Sequence, residues 1–282
     1  MVRLRPICVR RLLVAGLMFA VALLAGGCGP ADVTSGEPAT HGYDGPLYVT
    51  RVDAKHPRAG AAGDVVDCDA WGAGGFSDAG VYNGGATAST AAAALEAARG
   101  EGGFGGVQEG LLVATEEEDR VLYVLEVDGA FKQAVIVRNG PATEGAGGAG
   151  WYVESWAHCD YSEMPRSFTD SLGLQIWTDS SGRPAPTTSV QSWRGPEHCS
   201  WQSMTFLYLG KAAYVRDPLP ELDEYFDEQY DEHAVLPADA IDTGFEHGDE
   251  HLWLSTDKKR AFVGTVDDVE AWPRTTQPLG CA

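Results

Sequence analysis

Apolar positions along the chain fall mostly into short alternating runs, the period of half-buried strands. Residues 110–115, 120–127 and 131–138 form three such runs, and Asp128-Gly129 between the last two is a strong hairpin-turn signal. Leu122-Tyr123-Val124-Leu125 is apolar at both alternating sets, which predicts a strand buried on both faces. Residues 151–157 read as a further strand, and residues 46–53 and 64–68 as two shorter ones before it. Residues 68–85 are glycine-rich and read as irregular. One stretch breaks the period of two. Residues 89–99 are dominated by alanine, with Thr87 or Ser89 able to cap the start and Gly100 to end it, which predicts a helix.

The second half repeats the pattern. Strands are expected at 174–178, 186–190, 204–209, 212–216, 251–255, 261–266 and 269–272. Residues 219–230 read as an acidic amphipathic helix whose apolar stripe is Leu222, Tyr225, Phe226 and Tyr230, with Pro218 and Pro220 at its start. Val121-Leu122-Tyr123-Val124 and Ala134-Val135-Ile136-Val137 resemble His251-Leu252-Trp253-Leu254 and Ala261-Phe262-Val263-Gly264. Val153-Glu154-Ser155-Trp156 likewise resembles Val269-Glu270-Ala271-Trp272. The expectation is an α+β fold, mostly antiparallel β-sheets with a few helices, in two related units at 44–160 and 161–282.

Charge narrows the partners. The formal net charge is −21, which disfavours nucleic acid and anionic lipid head groups. From Asp217 to Glu250 there are thirteen acids and no Lys or Arg. The run lacks the alternating ligands and turn glycine of a calcium loop, so it reads as a solvated helix face with loops.

The N-terminus carries the most specific signal. Arg3, Arg5, Arg10 and Arg11 precede an apolar stretch at 12–25 that stops at Gly26-Gly27-Cys28. That arrangement resembles the signal of bacterial lipoproteins, except that Ala25 stands where the family prefers leucine three residues before the cysteine and Leu24 sits one step back. The alanine- and glycine-rich, lysine-poor composition is similar to that of envelope lipoproteins of high-GC Gram-positive bacteria. The body loosely resembles exported actinobacterial proteins, a likeness that carries no activity. The resemblance implies a cleaved signal at 1–27, lipid on Cys28, and a position on the outer face of the cell membrane. Residues 28–43, rich in Gly, Pro, Ser and Thr, read as a flexible tether of roughly 20 Å.

With Cys8 in the signal and Cys28 assigned to lipid, Cys68, Cys159, Cys199 and Cys281 remain in an oxidising compartment, so two disulfides are expected. Cys68–Cys159 with Cys199–Cys281 would close each unit separately. Cys159–Cys199 with Cys68–Cys281 is the competing arrangement. His158-Cys159 and His198-Cys199 do not read as zinc ligands, because strand neighbours point to opposite faces. His247 and His251 flank a turn glycine, Gly248. The Gly-x-Gly-x-x-Gly runs at Gly100 and Gly145 lack the strand-to-helix setting of a dinucleotide loop. Gly75-Phe76-Ser77, Ser255-Thr256-Asp257-Lys258 and Asp242-Thr243-Gly244 likewise lack the contexts of the catalytic motifs they approximate. No catalytic residue, cofactor or metal is therefore expected. Among eight tryptophans, Trp177 and Trp193 lie beside loops and are the candidates for a ligand surface, in a groove along the seam between units. The expected function is a non-catalytic, membrane-anchored binding or interaction module for an envelope protein or glycan. An envelope hydrolase with a dispersed active site is the alternative.

Overall fold

The computed structural model describes residues 34–76, 87–100, 110–141 and 149–280. Its strands form three mostly antiparallel sheets of six, four and five strands.

The first sheet comprises β1 (Thr34–Pro38), β2 (Trp71–Phe76), β3 (Leu111–Glu116), β4 (Arg120–Val127), β5 (Ala130–Pro141) and β6 (Ala149–Cys159), in spatial order β1-β3-β4-β5-β6-β2. β3 to β6 run as a meander. Asp128 and Gly129 turn the β4–β5 hairpin with φ of 52° and 80°, the left-handed pair that a tight hairpin requires. The two-faced apolar pattern of β4 has a direct cause. Leu122 and Val124 pack with Leu47, Val66, Ala134 and Ile136 on one face, beneath the short helix α1 (Ala62–Val65). Val121 and Tyr123 pack on the other with Leu95 of helix α2 (Ala91–Gly100).

Helix α3 (Arg166–Ser171) leads into the second sheet. That sheet is a meander of β7 (Leu174–Gln175), β8 (Val190–Arg194), β9 (Thr205–Leu209) and β10 (Ala212–Arg216). The third holds β11 (Asp231–Ala234), β12 (Ile241–His247), β13 (Glu250–Leu254), β14 (Arg260–Thr265) and β15 (Asp268–Pro273), in order β11-β15-β14-β13-β12. Trp177, Val190, Leu207 and Tyr214 share one core with Leu252, Leu254, Ala261, Val263 and Trp272, so the second and third sheets pack against each other.

Apart from β1, the first and third sheets have one strand order: a leading strand lies antiparallel to the last strand of a four-stranded meander. Leu122 pairs with Ile136 and Tyr123 with Val135, as Leu252 pairs with Val263 and Trp253 with Phe262. β3 bulges between its partners of Tyr123 and Leu122, and β12 between its partners of Trp253 and Leu252.

Four expectations are corrected. Residues 34–38, read as tether, form edge strand β1 in parallel with β3, a pairing made by backbone and invisible to side-chain periodicity. Residues 46–53 and 64–68 are turns and α1 rather than strands. Thr50 O accepts from Asp53 N and Ala54 N, and the apolar residues press one face onto the sheet instead of joining it. The acidic helix over 219–230 shrinks to a 3-10 turn, Pro220–Tyr225. Glu221, Glu224 and Glu228 would have stacked like charges along one face, and Leu222 and Phe226 instead pack beside Trp201 and Phe206. The strand expected at 186–190 is a turn, with Val190 opening β8.

Candidate functional site

β6 ends at Cys159, whose disulfide to Cys68 joins β6 to the segment entering β2, with Cα atoms 5.2 Å apart. Of the two arrangements open in the sequence, this one excludes Cys159–Cys199. Cys199 is also disulfide-bonded, while Cys281 and Cys28 lie outside the described residues.

Beyond Cys159 the chain is held by two carboxylates. Asp160 is buried, accepts from Ser162 N at 2.9 Å, and receives Thr187 N at 2.8 Å and Thr187 Oγ1 at 2.7 Å. It thereby ties the end of β6 to the entry of β8. Glu163 accepts from Asp69 N at 3.1 Å, Ala70 N at 2.7 Å and Lys132 Nζ at 2.7 Å. Lys132 also donates to Asp67 O at 2.7 Å. A turn faces them at Asp179, whose carboxylate accepts from Ser181 and Arg183. The Ser181 hydroxyl first, then the Arg183 backbone, lower the Asp179 pKa to about 2.

Between these parts lies a cleft of ≈ 890 Å³ at the seam of the two sequence halves. The β4–β5 turn at Asp128, the bonded group Asp69, Lys132 and Glu163, and Met164, Pro165, Asp179, Arg183 and Pro186 line it. The mixture suits a ligand with both polar and apolar groups. Glu163 is positioned by backbone N–H groups and Lys132, Asp179 by backbone N–H groups and the Ser181 hydroxyl, and no histidine or cysteine is among the described lining residues.

The two tryptophans assigned to this groove do not line it. Trp177 is only 1% exposed and donates from Nε1 to Ser192 Oγ at 3.0 Å within the core shared by the second and third sheets. Trp193 is half-buried and packs on Phe206 and Tyr208, with ring centroids 5.7 and 6.3 Å away. A mixture of polar and apolar residues from separate stretches of the chain makes the cleft instead. Nothing in the local sequence of Asp69, Lys132 or Glu163 signals a shared site.

The other motifs fall apart in space. His158 is buried between Trp156 and Tyr161, and burial lowers its pKa against the opposing effects of its Cys159 O bond and of Asp160. His198 is exposed on a 3-10 turn, and the Cys159 sulfur is already bonded to Cys68. His247 and His251 sit on the β12–β13 hairpin, near Glu250 and Glu246 respectively, around a turn at Gly248 with φ of 63°. Ser255 is bound within its turn, donating to Asp257 and accepting from Lys259 N and Arg260 N. Asp242 accepts from Gly244 N in the β12 bulge. Ser77 and most of both Gly-x-Gly-x-x-Gly runs lie outside the described residues. Among the described residues, no group of three or more His, Cys, Asp or Glu is placed to hold a metal, and no helix is long and apolar enough to cross a membrane.

A buried charge cluster went unread in the sequence. Glu154, 1% exposed, accepts from Arg120 Nε at 2.9 Å and Arg138 Nη1 at 3.2 Å, with Asp119 bound to Arg120 at the margin. It lies across neighbouring strands and fixes their alignment. No protein-family model, curated protein or solved structure matches the chain.

Proposed function

We propose that the chain is an exported binding module, held on the outer face of the cell membrane by lipid on Cys28, whose seam cleft takes a ligand of the cell envelope. The single observation carrying the binding reading is that cleft of ≈ 890 Å³, with its charged groups fixed by backbone and side-chain bonds. A fixed, mixed polar and apolar lining favours recognition, because little side-chain entropy is lost when a ligand enters. The arginine-rich N-terminus and Gly26-Gly27-Cys28 support the anchoring, and the net charge of −21 favours a partner other than nucleic acid.

The two halves are, in this reading, related units. Support comes from the common strand order, the matching pairs around Leu122 and Leu252, and the bulges opposite them. Cys199–Cys281 would close the second unit as Cys68–Cys159 closes the first. Peptide mapping without reduction tests that pairing, and a different partner for Cys199 removes it. Hydrogen exchange tests the kinship: matched amides in β4–β5 and β13–β14 should be protected alike, and a one-residue slip between the patterns would defeat it.

The decisive experiment compares capture of envelope components by wild type, Cys28→Ser, and a cleft variant carrying Asp128→Asn with Arg183→Glu. Metabolic labelling should place lipid on wild type and none on Cys28→Ser. The cleft variant should retain lipid and lose the specific ligand. Equal capture by the cleft variant rejects the seam cleft as the site, and label on Cys28→Ser rejects the anchor.

A further inference from the structure

A second groove lies at the open end of the third sheet, remote in sequence from every residue of the seam cleft. It occupies ≈ 390 Å³ between the segment after β11 and the β14–β15 turn, with Trp253 at its base. Val235 and Val266 line it and are 87% and 69% exposed, two of the six large apolar side chains exposed among the described residues. The position of Val266 is unusual. Thr265 pairs with Asp268, so Val266-Asp267 forms the apex of a two-residue turn, with neither residue in the left-handed region. A β-branched apolar residue there gains nothing from the turn and stands in water. The backbone that presents it is specialised: Gly264 has φ of 142°, and a Cβ there would lie 2.2 Å from Asp268 O.

The surroundings are of one sign. Glu232, Asp239, Asp242, Asp267 and Asp268 are exposed around the groove, and the chain has no Lys or Arg from Asp217 to Glu250. That field selects among occupants. A second copy of the chain also carries −21 and is repelled, as is an anionic bilayer. The apolar area is also small for a stable dimer, which buries roughly 800 Å² per partner. A basic segment carrying aliphatic side chains complements both the charge and the groove.

We propose that this groove binds a basic segment of a partner polypeptide, seating one or two aliphatic side chains against Val235, Val266 and Trp253 while flanking Lys or Arg meets the acidic rim. The site does not depend on the reading of the seam cleft.

The test titrates the full chain in nonionic detergent into a fluorescein-labelled peptide, Lys-Lys-Val-Leu-Val-Lys-Lys, and follows anisotropy at low and physiological salt. Saturable binding that weakens with salt is expected. Val235→Ser with Val266→Ser should weaken it roughly tenfold, and Asp239→Asn with Asp267→Asn by about as much. Both valines are in water, so unchanged thermal melting will show that the fold is kept. Equal binding of a peptide with serines in place of Val-Leu-Val, or of one flanked by glutamates, overturns the proposal. So does unchanged affinity in the valine variant. Self-association or flotation with zwitterionic vesicles that is lost in that variant would assign the groove to a second copy or a bilayer, and equally overturns it.

Discussion

The first and third sheets share a strand order and much of their register, but they are covered differently. The first is enclosed on both faces, by α2 on one and by the segment around Leu47 and α1 on the other. The third packs one face on the second sheet, while its other face meets, among the described apolar residues, the partly buried Ala234, Leu236 and Ala240. Glu154 and Glu270, which match in the sequence comparison, hold their charges differently. Glu154 is buried with two arginines. Glu270 pairs with Arg216 at 2.5 Å in a setting where those side chains are 21% and 48% exposed, and raises the Arg216 pKa above its ordinary value. Glu154 is the extra residue of a bulge in β6, whereas Glu270 pairs in register with Val263 on the face turned to the second sheet and meets Arg216 of β10 there.

The comparison breaks most readily at Glu154. Glu154→Ala leaves Arg120 and Arg138 without their buried partner and should cost about 3–5 kcal/mol in urea unfolding. Removing the disulfide by Cys68→Ser with Cys159→Ser should cost about 2–5 kcal/mol, read from the same curves. Gly264→Ala forces a side chain onto a backbone held at φ of 142° and against Asp268 O, and should cost about 1–3 kcal/mol, lowering the melting temperature. Glu270→Ala, the counterpart of the first change, removes the acceptor of Arg216 and of Trp272 Nε1 and should cost about 1–2 kcal/mol, less than the first change because its carboxylate and Arg216 both reach water. A loss equal to that of Glu154→Ala would remove the contrast between the sheets.

The smallest effect is on pH dependence. Burial lowers the folded-state pKa of His158, so the unfolded chain binds its proton more readily. The contribution of neutral His158 is fully present above the unfolded value of about 6.5 and is lost as pH falls below it. Melts at pH about 7.5 and about 5.5 should show that slope, and His158→Gln should flatten it.

Much of this architecture is legible in the sequence where packing and local chemistry agree. β4 and β5 announce themselves through two apolar faces and Asp128-Gly129, and α2 through its alanines. β2 does not, because Trp71–Phe76 contains glycines that mark close approach rather than a loop: a Cβ on Gly72 would lie 2.4 Å from Cys159 O, and one on Gly74 2.9 Å from Trp156 O. β11 is an acidic edge strand with three exposed residues, so it shows little alternation. The cleft is another matter. Its lining is not legible, because Asp69, Lys132, Glu163 and Asp179 meet only after β2, β5 and the turn beyond α3 have been positioned. Trp177 was misread because loop flanks say nothing about which way a ring turns.

The Cys68–Cys159 bond also fixes how the chain would bear load. It closes 91 positions of sequence into a covalent ring that contains β2 to β6. Tension entering from the N-terminal side passes from Cys68 to Cys159 through sulfur, and the backbone between them is bypassed. Pulled at its two ends, the oxidised molecule cannot extend through that ring. Opening this bridge alone, by Cys68→Ser with Cys159→Ser, should release roughly 300 Å of further extension in a single-molecule experiment. Under tension, β2 to β6 would then be a slack loop beside the line of force.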